Sequence, residues 1–113
     1  MPFDPRDFLE LAGALATAPD ESEQRTAISR AYYAVHLYAR EQLVARGQMT
    51  PTKTGRDHRL VIKALRVHRV SDGNKVDKLR KWRTKADYRL GAQITPAKAQ
   101  QAVAIAQDVW PRL

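Results

Sequence analysis

Residues 25–46 read RTAISRAYYAVHLYAREQLVAR, and how this stretch is buried decides the fold. Projected at about 100° per residue, it carries apolar side chains on nearly every side. Ile28, Tyr32, Val35, Ala39 and Leu43 form one stripe; Ala27, Ala34, Leu37 and Val44 form a second, opposite stripe. A helix apolar all round is a buried helix, so the stretch predicts the central post of a helical domain. Between the stripes runs a polar row, Ser29, Tyr33, His36 and Arg40, spaced i, i+4, i+7, i+11, with Arg30 beside it. Polar groups on a buried helix are costly unless partnered, which marks this flank as the candidate site.

The 113 residues suit one domain, long enough to build a core without disulfides or metal. There is no cysteine, which excludes a thiolate metal site and a cysteine nucleophile. The three histidines show no metal-ligand spacing, and there is no Gly-rich phosphate loop. No metal or cofactor is therefore expected. The apolar runs are too short to span a bilayer, and the opening MPFDPRDF lacks the apolar segment of a signal peptide. A cytoplasmic protein with no membrane contact is expected.

Cap and breaker residues divide the chain into five helices. The first spans 3–17, with Asp4 as N-cap, Pro5 at the first helical position and Phe8, Leu11, Ala12 and Leu15 as its apolar face. The central helix spans 22–46 and stops at Gly47. After a polar loop, a third spans 56–69 with Leu60, Ile62, Ala64, Leu65 and Val67 apolar. Ser71-Asp72-Gly73-Asn74 reads as a turn. The fourth spans 75–90 with the stripe Val76, Leu79, Trp82, Ala86, Leu90. Thr95-Pro96 starts the fifth, which Pro111 ends. With no strand signal, the expected fold is an all-α, five-helix up-and-down bundle.

Charge is unevenly spread. Residues 53–89 hold thirteen Lys/Arg against four Asp, a net +9, whereas the rest of the chain balances near zero. Such asymmetry suggests an anionic partner, nucleic acid or an acidic protein. On the fourth helix Arg83 projects into the apolar stripe, with Asp87 one turn on and Arg80 beside both. An Arg aimed at a core needs a carboxylate, and Asp87 has the i,i+4 geometry to supply it. The pair serves equally as a packing device or as the wall of a charged pocket.

His36 is the sharpest candidate for acid–base chemistry, since its ordinary pKa is near 6.5. Arginine beside histidine suits phosphodiester chemistry without metal: His moves the proton and Arg stabilises charge on the phosphate. Arg30 and His36 lie about 120° apart on an ideal helix, with Tyr33 between them, so they converge only across a groove or a dimer seam. His58 and His68 read as surface residues, and the tyrosines 32, 33, 38 and 88 as core or edge aromatics.

Two blocks resemble the HEPN family of small all-α proteins found in prokaryotic defence and toxin–antitoxin systems. Ser29 to His36, SRAYYAVH, resembles the SRxYYAxxH helix of small stand-alone HEPN proteins, and Arg80 to Tyr88, RKWRTKADY, resembles their RxxADY helix. Asp57-His58-Arg59 and TPAKAQQAVAIAQDVW resemble the intervening and final segments. The resemblance implies a HEPN-type bundle, a homodimer, and RNA or a nucleotide as ligand. It also matches Arg30, five residues, His36 to the nuclease motif of the family, with Arg30 on the scissile phosphate and His36 as acid–base. Ser29, Tyr33, Arg40, Arg80, Arg83, Asp87 and Tyr88 would then shape the pocket. Tyr38 matches the tyrosine that a partner nucleotidyltransferase adenylylates in some toxin–antitoxin pairs. Three functions follow as expectations: a metal-independent ribonuclease, a non-catalytic adaptor for a nucleotidyltransferase, or a nucleotide-binding module.

Overall fold

A computed structural model describes residues 2–113. Its helices are α1 (Arg6–Leu15), α2 (Glu21–Ala45), α3 (Asp57–His68), α4 (Val70–Tyr88) and α5 (Pro96–Val109), followed by a 3-10 turn over Trp110–Arg112. They pack as one all-helical bundle without strands among the described residues. At 1.5 Å per residue, the 25 residues of α2 extend about 37 Å, close to the 42 Å long axis of the molecule. No helix among the described residues is long and apolar enough to cross a membrane.

α2 is the post around which the others are arranged, in contact with α1, α3, α4 and α5. Ile28, Tyr32, Val35 and Leu43 are fully enclosed on one stripe, and Ala27 and Ala34 on the opposite one. The second stripe opens toward its end, where Leu37 is half-buried and Val44 exposed. Small residues at Ala27, Ala31, Ala34 and Ala39 leave room for neighbouring helices to come close.

The caps act where the residue types place them. Asp4 Oδ1 accepts from Arg6 N–H at 2.9 Å, and Pro5 is already helical. The helix proper is shorter than 3–17 because Phe3 lies outside it, its ring 4.5 Å from that of Phe8 across the cap, a hydrophobic staple. Gly47 takes φ +70° at the end of α2, and Gln48 N–H donates to Leu43 C=O at 2.9 Å, the 6→1 bond of a Schellman motif. Thr95 Oγ1 accepts from Lys98 N–H at 3.2 Å, with Pro96 opening α5.

Several apolar assignments change. Leu11 of α1 is exposed and Leu9 is buried in its place; Val67 of α3 is 74% exposed and Val61 is enclosed. Leu90 is 91% exposed, because α4 ends at Tyr88 and the chain turns away.

The largest departure is at residues 71–74, which form the first turns of α4 instead of a turn between helices. Only Arg69, with extended backbone (φ −148°, ψ 90°), separates α3 from α4. Two interactions outweigh the turn propensity of Ser-Asp-Gly-Asn. Asp72 is buried and receives both Nε and Nη2 of Arg112 at 3.0 and 2.8 Å. Gly73 sits where α3 and α4 converge: a Cβ there would lie 2.5 Å from Arg66 Cγ, 3.0 Å from Arg66 N and 3.2 Å from Ile62 O.

In an open helix, replacing glycine with alanine stabilises by up to about 1 kcal/mol. Here Gly73→Ala is expected to destabilise by about 1–3 kcal/mol, the usual cost of overpacking. Urea unfolding compared with the parent checks this, and an unchanged or raised midpoint contradicts the close approach.

Candidate functional site

The two sequence blocks meet. Ser29, Arg30, Tyr33, His36 and Arg40 stand on α2, opposite Arg80, Arg83, Asp87 and Tyr88 on α4, whose contacts with α2 are extensive. Arg83 is the hub. Its Nε donates to Asp87 Oδ2 at 2.9 Å, and its Nη2 to Tyr33 Oη at 2.6 Å and, more weakly, to Tyr88 Oη at 3.5 Å. Ser29 Oγ donates to the same Asp87 oxygen at 3.2 Å, and Arg30 Nη2 donates to Ser29 Oγ at 3.3 Å. The Arg83 side chain is only 16% exposed, and Asp87 is the carboxylate it requires. The Arg83–Asp87 pair thus belongs to a network joining two helices, with Tyr33 and Ser29 as the α2 half.

Arg30 and His36 do not converge. The Arg30 guanidinium lies over Phe8 at 4.8 Å and over Tyr33 at 5.1 Å. His36 meets Tyr33 edge-on at 6.4 Å between ring centroids, so the tyrosine ring stands between the two. Arg80 is drawn off the Arg83–Asp87 pair by Asp77, which accepts its Nε at 3.1 Å. Tyr38 is half-buried and stacked on Trp110, centroids 4.3 Å apart and rings 8° from parallel.

What His36 does touch is His58. The imidazoles stack at 4.2 Å, 14° from parallel, and the Tyr32 ring is near-parallel to both. The Tyr32 hydroxyl hydrogen-bonds with His58 Nδ1 at 2.5 Å. His36 is 3% exposed, and its Nδ1 has no hydrogen-bond partner among the described residues. Burial, then the neighbouring His58 and the Arg40 guanidinium, push the His36 pKa down to about 3. Burial and the guanidiniums of Arg83, Arg80 and Arg40 lower that of His58 too. Both rings are therefore neutral at pH 7, and the stack disfavours a doubly charged pair in particular: two unit charges 4 Å apart at an effective dielectric of 20 repel by about 4 kcal/mol.

Each guanidinium around this stack has its own carboxylate. Arg40 pairs with Asp57 at 3.8 Å, Arg80 with Asp77 at 3.1 Å and Arg83 with Asp87 at 2.9 Å. Asp57 is enclosed and capped by Thr52, which donates from N and Oγ1 at 2.8 and 2.7 Å, and by Lys53 N–H at 3.1 Å. Those bonds, the Thr52 hydroxyl foremost, hold its carboxyl below the ordinary range. The arrangement offers neutral imidazole nitrogens and shielded positive charge, with His58 and Arg40 bordering an open groove beside Leu37 and Lys53. Among the described residues no cluster of three or more histidine, aspartate or glutamate side chains is placed to hold a metal ion.

Reading His58 as a surface residue was wrong, although its spacing carries the signal: His58, Val61, Ile62 and Leu65 form one i, i+3, i+4, i+7 face, buried but for the half-buried histidine. Asp57 and Arg25 were also missed: Asp57 is held by backbone and side chain of the 52–53 loop, and Arg25 by backbone carbonyls at the end of α4 and in the loop after it, which helical periodicity does not describe.

No protein-family model matches the chain, and no curated protein or solved structure matches it. What the fold and the site define is a class: an all-α bundle with a partly buried histidine stack flanked by arginine–aspartate pairs.

The lowered His36 pKa has a signed consequence. Between its unfolded value near 6.5 and its folded value of about 3, the unfolded chain binds a proton that the folded chain excludes. Stability is thus full above pH 6.5 and falls with acidification, by up to about 1.4 kcal/mol per pH unit for each such histidine. In urea titrations from pH 7.5 to 4.5, His36→Leu is expected to show a shallower fall than the parent. Parallel curves would mean that His36 is not the group titrating.

Proposed function

We propose that this chain is a HEPN-type module that binds RNA along the face between α3 and α4, as one component of a prokaryotic toxin–antitoxin or defence pair. One observation carries the reading. Arg59, Lys63, Arg66, Arg80 and Lys81 line a groove of about 280 Å³ whose one acid is Asp77. Asp77 already receives Arg66, Arg80 and Lys81 at 3.4, 3.1 and 3.2 Å. The groove keeps a large positive excess that a phosphate backbone would neutralise. The family resemblance of the two blocks supports RNA over other polyanions.

Binding is favoured over cleavage because Arg30 is covered by aromatic rings and His36 is enclosed. Metal-independent ribonuclease activity is the second reading, favoured by a different observation: neutral His58 borders open space beside Arg40. In that reading His58 would act as the accessible acid–base, with Arg30 and His36 contributing if a second protomer completes the cleft. An acidic surface on a partner nucleotidyltransferase would use the same α3–α4 groove.

The test is binding of a labelled single-stranded RNA pool in excess EDTA over a range of salt. Affinity should fall with a log–log slope of about −0.7 per phosphate contacted. Lys63→Glu with Lys81→Glu should lower it at least tenfold with unchanged circular dichroism. Absence of RNA binding, or binding indifferent to salt and to the charge reversals, overturns the reading in favour of a protein partner. Cut RNA in the same samples, lost in His58→Ala and His36→Ala, would establish cleavage.

A further inference from the structure

A second site lies away from the α3–α4 groove and shares no lining residue with it. After α4 the chain returns through residues 89–95 to the start of α5, and Arg25 of α2 pins this return in place. Its Nη1 donates to the carbonyls of Lys85, Ala86 and Arg89 at 3.2, 2.9 and 3.1 Å. Its Nη2 donates to those of Ala92 and Leu90 at 2.7 and 3.5 Å. Glu21 adds a second anchor, accepting from Ile94 N–H at 3.4 Å while pairing with Arg25 at 3.6 Å. The return is thereby a fixed wall, and between it, Ile28 of α2 and Trp82 of α4 remains a cavity of about 510 Å³. That is the size of small-ligand pockets, which run from about 300 to 1,000 Å³.

The lining is chemically one-sided. Ile94 and the Trp82 indole supply apolar surface, with the enclosed Ile28 behind them, and Lys85, Arg89 and Lys98 supply positive charge. No carboxylate lines the cavity, and among the described residues none lies within ion-pair distance of these three cations. Elsewhere on α4, Lys75, Arg80, Lys81 and Arg83 each have an aspartate, while Lys78, which has none, lies over Trp82 with its Nζ 5.0 Å from the ring centroid. Lys98 is likewise drawn over the Trp82 ring, Nζ 3.9 Å from its centroid, where the face of the indole stands in weakly for an anion.

The geometry points to a binding site for a small organic anion with a flat apolar body, an aromatic carboxylate or sulfonate in chemical class. The body would lie against Trp82 and Ile94, and the anionic group would draw Lys98 from the ring to join Lys85 and Arg89. This site is independent of RNA binding, and its failure would leave that reading untouched.

Isothermal titration of the intact protein with naphthalene-2-sulfonate and with indole-3-acetate tests it. One saturable site per chain is expected, with inorganic sulfate and neutral indole each at least tenfold weaker. Lys98→Gln combined with Arg89→Gln should weaken the flat anions at least tenfold at unchanged helicity. Lys63→Gln with Lys81→Gln, in the other groove, should not change it. No saturable binding at millimolar ligand, neutral indole binding as tightly as its acetate, or full affinity in the Lys98/Arg89 variant would each overturn the assignment.

Discussion

A helix with apolar stripes on opposite sides must be covered by other helices along most of its length, and α2 sets that condition for the rest of this molecule. Its apolar stripes account for the placement of α1, α4 and α5. Its polar row has nowhere to point except into the seams between those helices. Burying polar groups in a seam is costly unless they find partners, and on this row only His36 Nδ1 is left without one among the described residues. Ser29 and Tyr33 find theirs on α4 through Asp87 and Arg83, and Arg40 finds Asp57 at the start of α3. The polar row thus specifies which helix lies on which side, a choice that apolar contacts alone leave loose.

The same logic distributes the charge. The acids Asp57 and Asp72 are buried, each wrapped by donors, while most of the bases remain at the surface. A strongly cationic chain thereby keeps its interior electrically balanced and directs its excess outward. The histidine stack fits this economy, since surrounding guanidiniums and burial both favour the uncharged ring.

Much of the architecture was legible in the residues. The central post, the caps at Asp4, Gly47 and Thr95, and the i,i+4 pair Arg83–Asp87 all follow from local rules and appear in the structure. The meeting of Ser29, Arg30 and Tyr33 with Arg83, Asp87 and Tyr88 joins residues some fifty positions apart and follows from no local rule; only the family resemblance grouped them. Residues 71–74 escaped because their turn propensity is local, whereas Arg112 and the α3 backbone, which override it, are distant or supplied by packing. His58 escaped because it stands in the first turn of α3, directly after a polar loop, where most side chains face solvent. The cavity by Trp82 could not be read at all, since its wall exists only through a side chain sixty and more residues away.

That wall has a history within each folding event. The bonds from Arg25 join residues 60 to 67 positions apart, and contacts of such separation carry the largest closure entropy and form after local ones. The end of α4 and the return to α5 can take their final shape only once α2 and α4 have docked. Helix content would therefore be largely regained while this corner is still unformed. The corner becomes a reporter of completed tertiary assembly, distinct from the helices that assemble it.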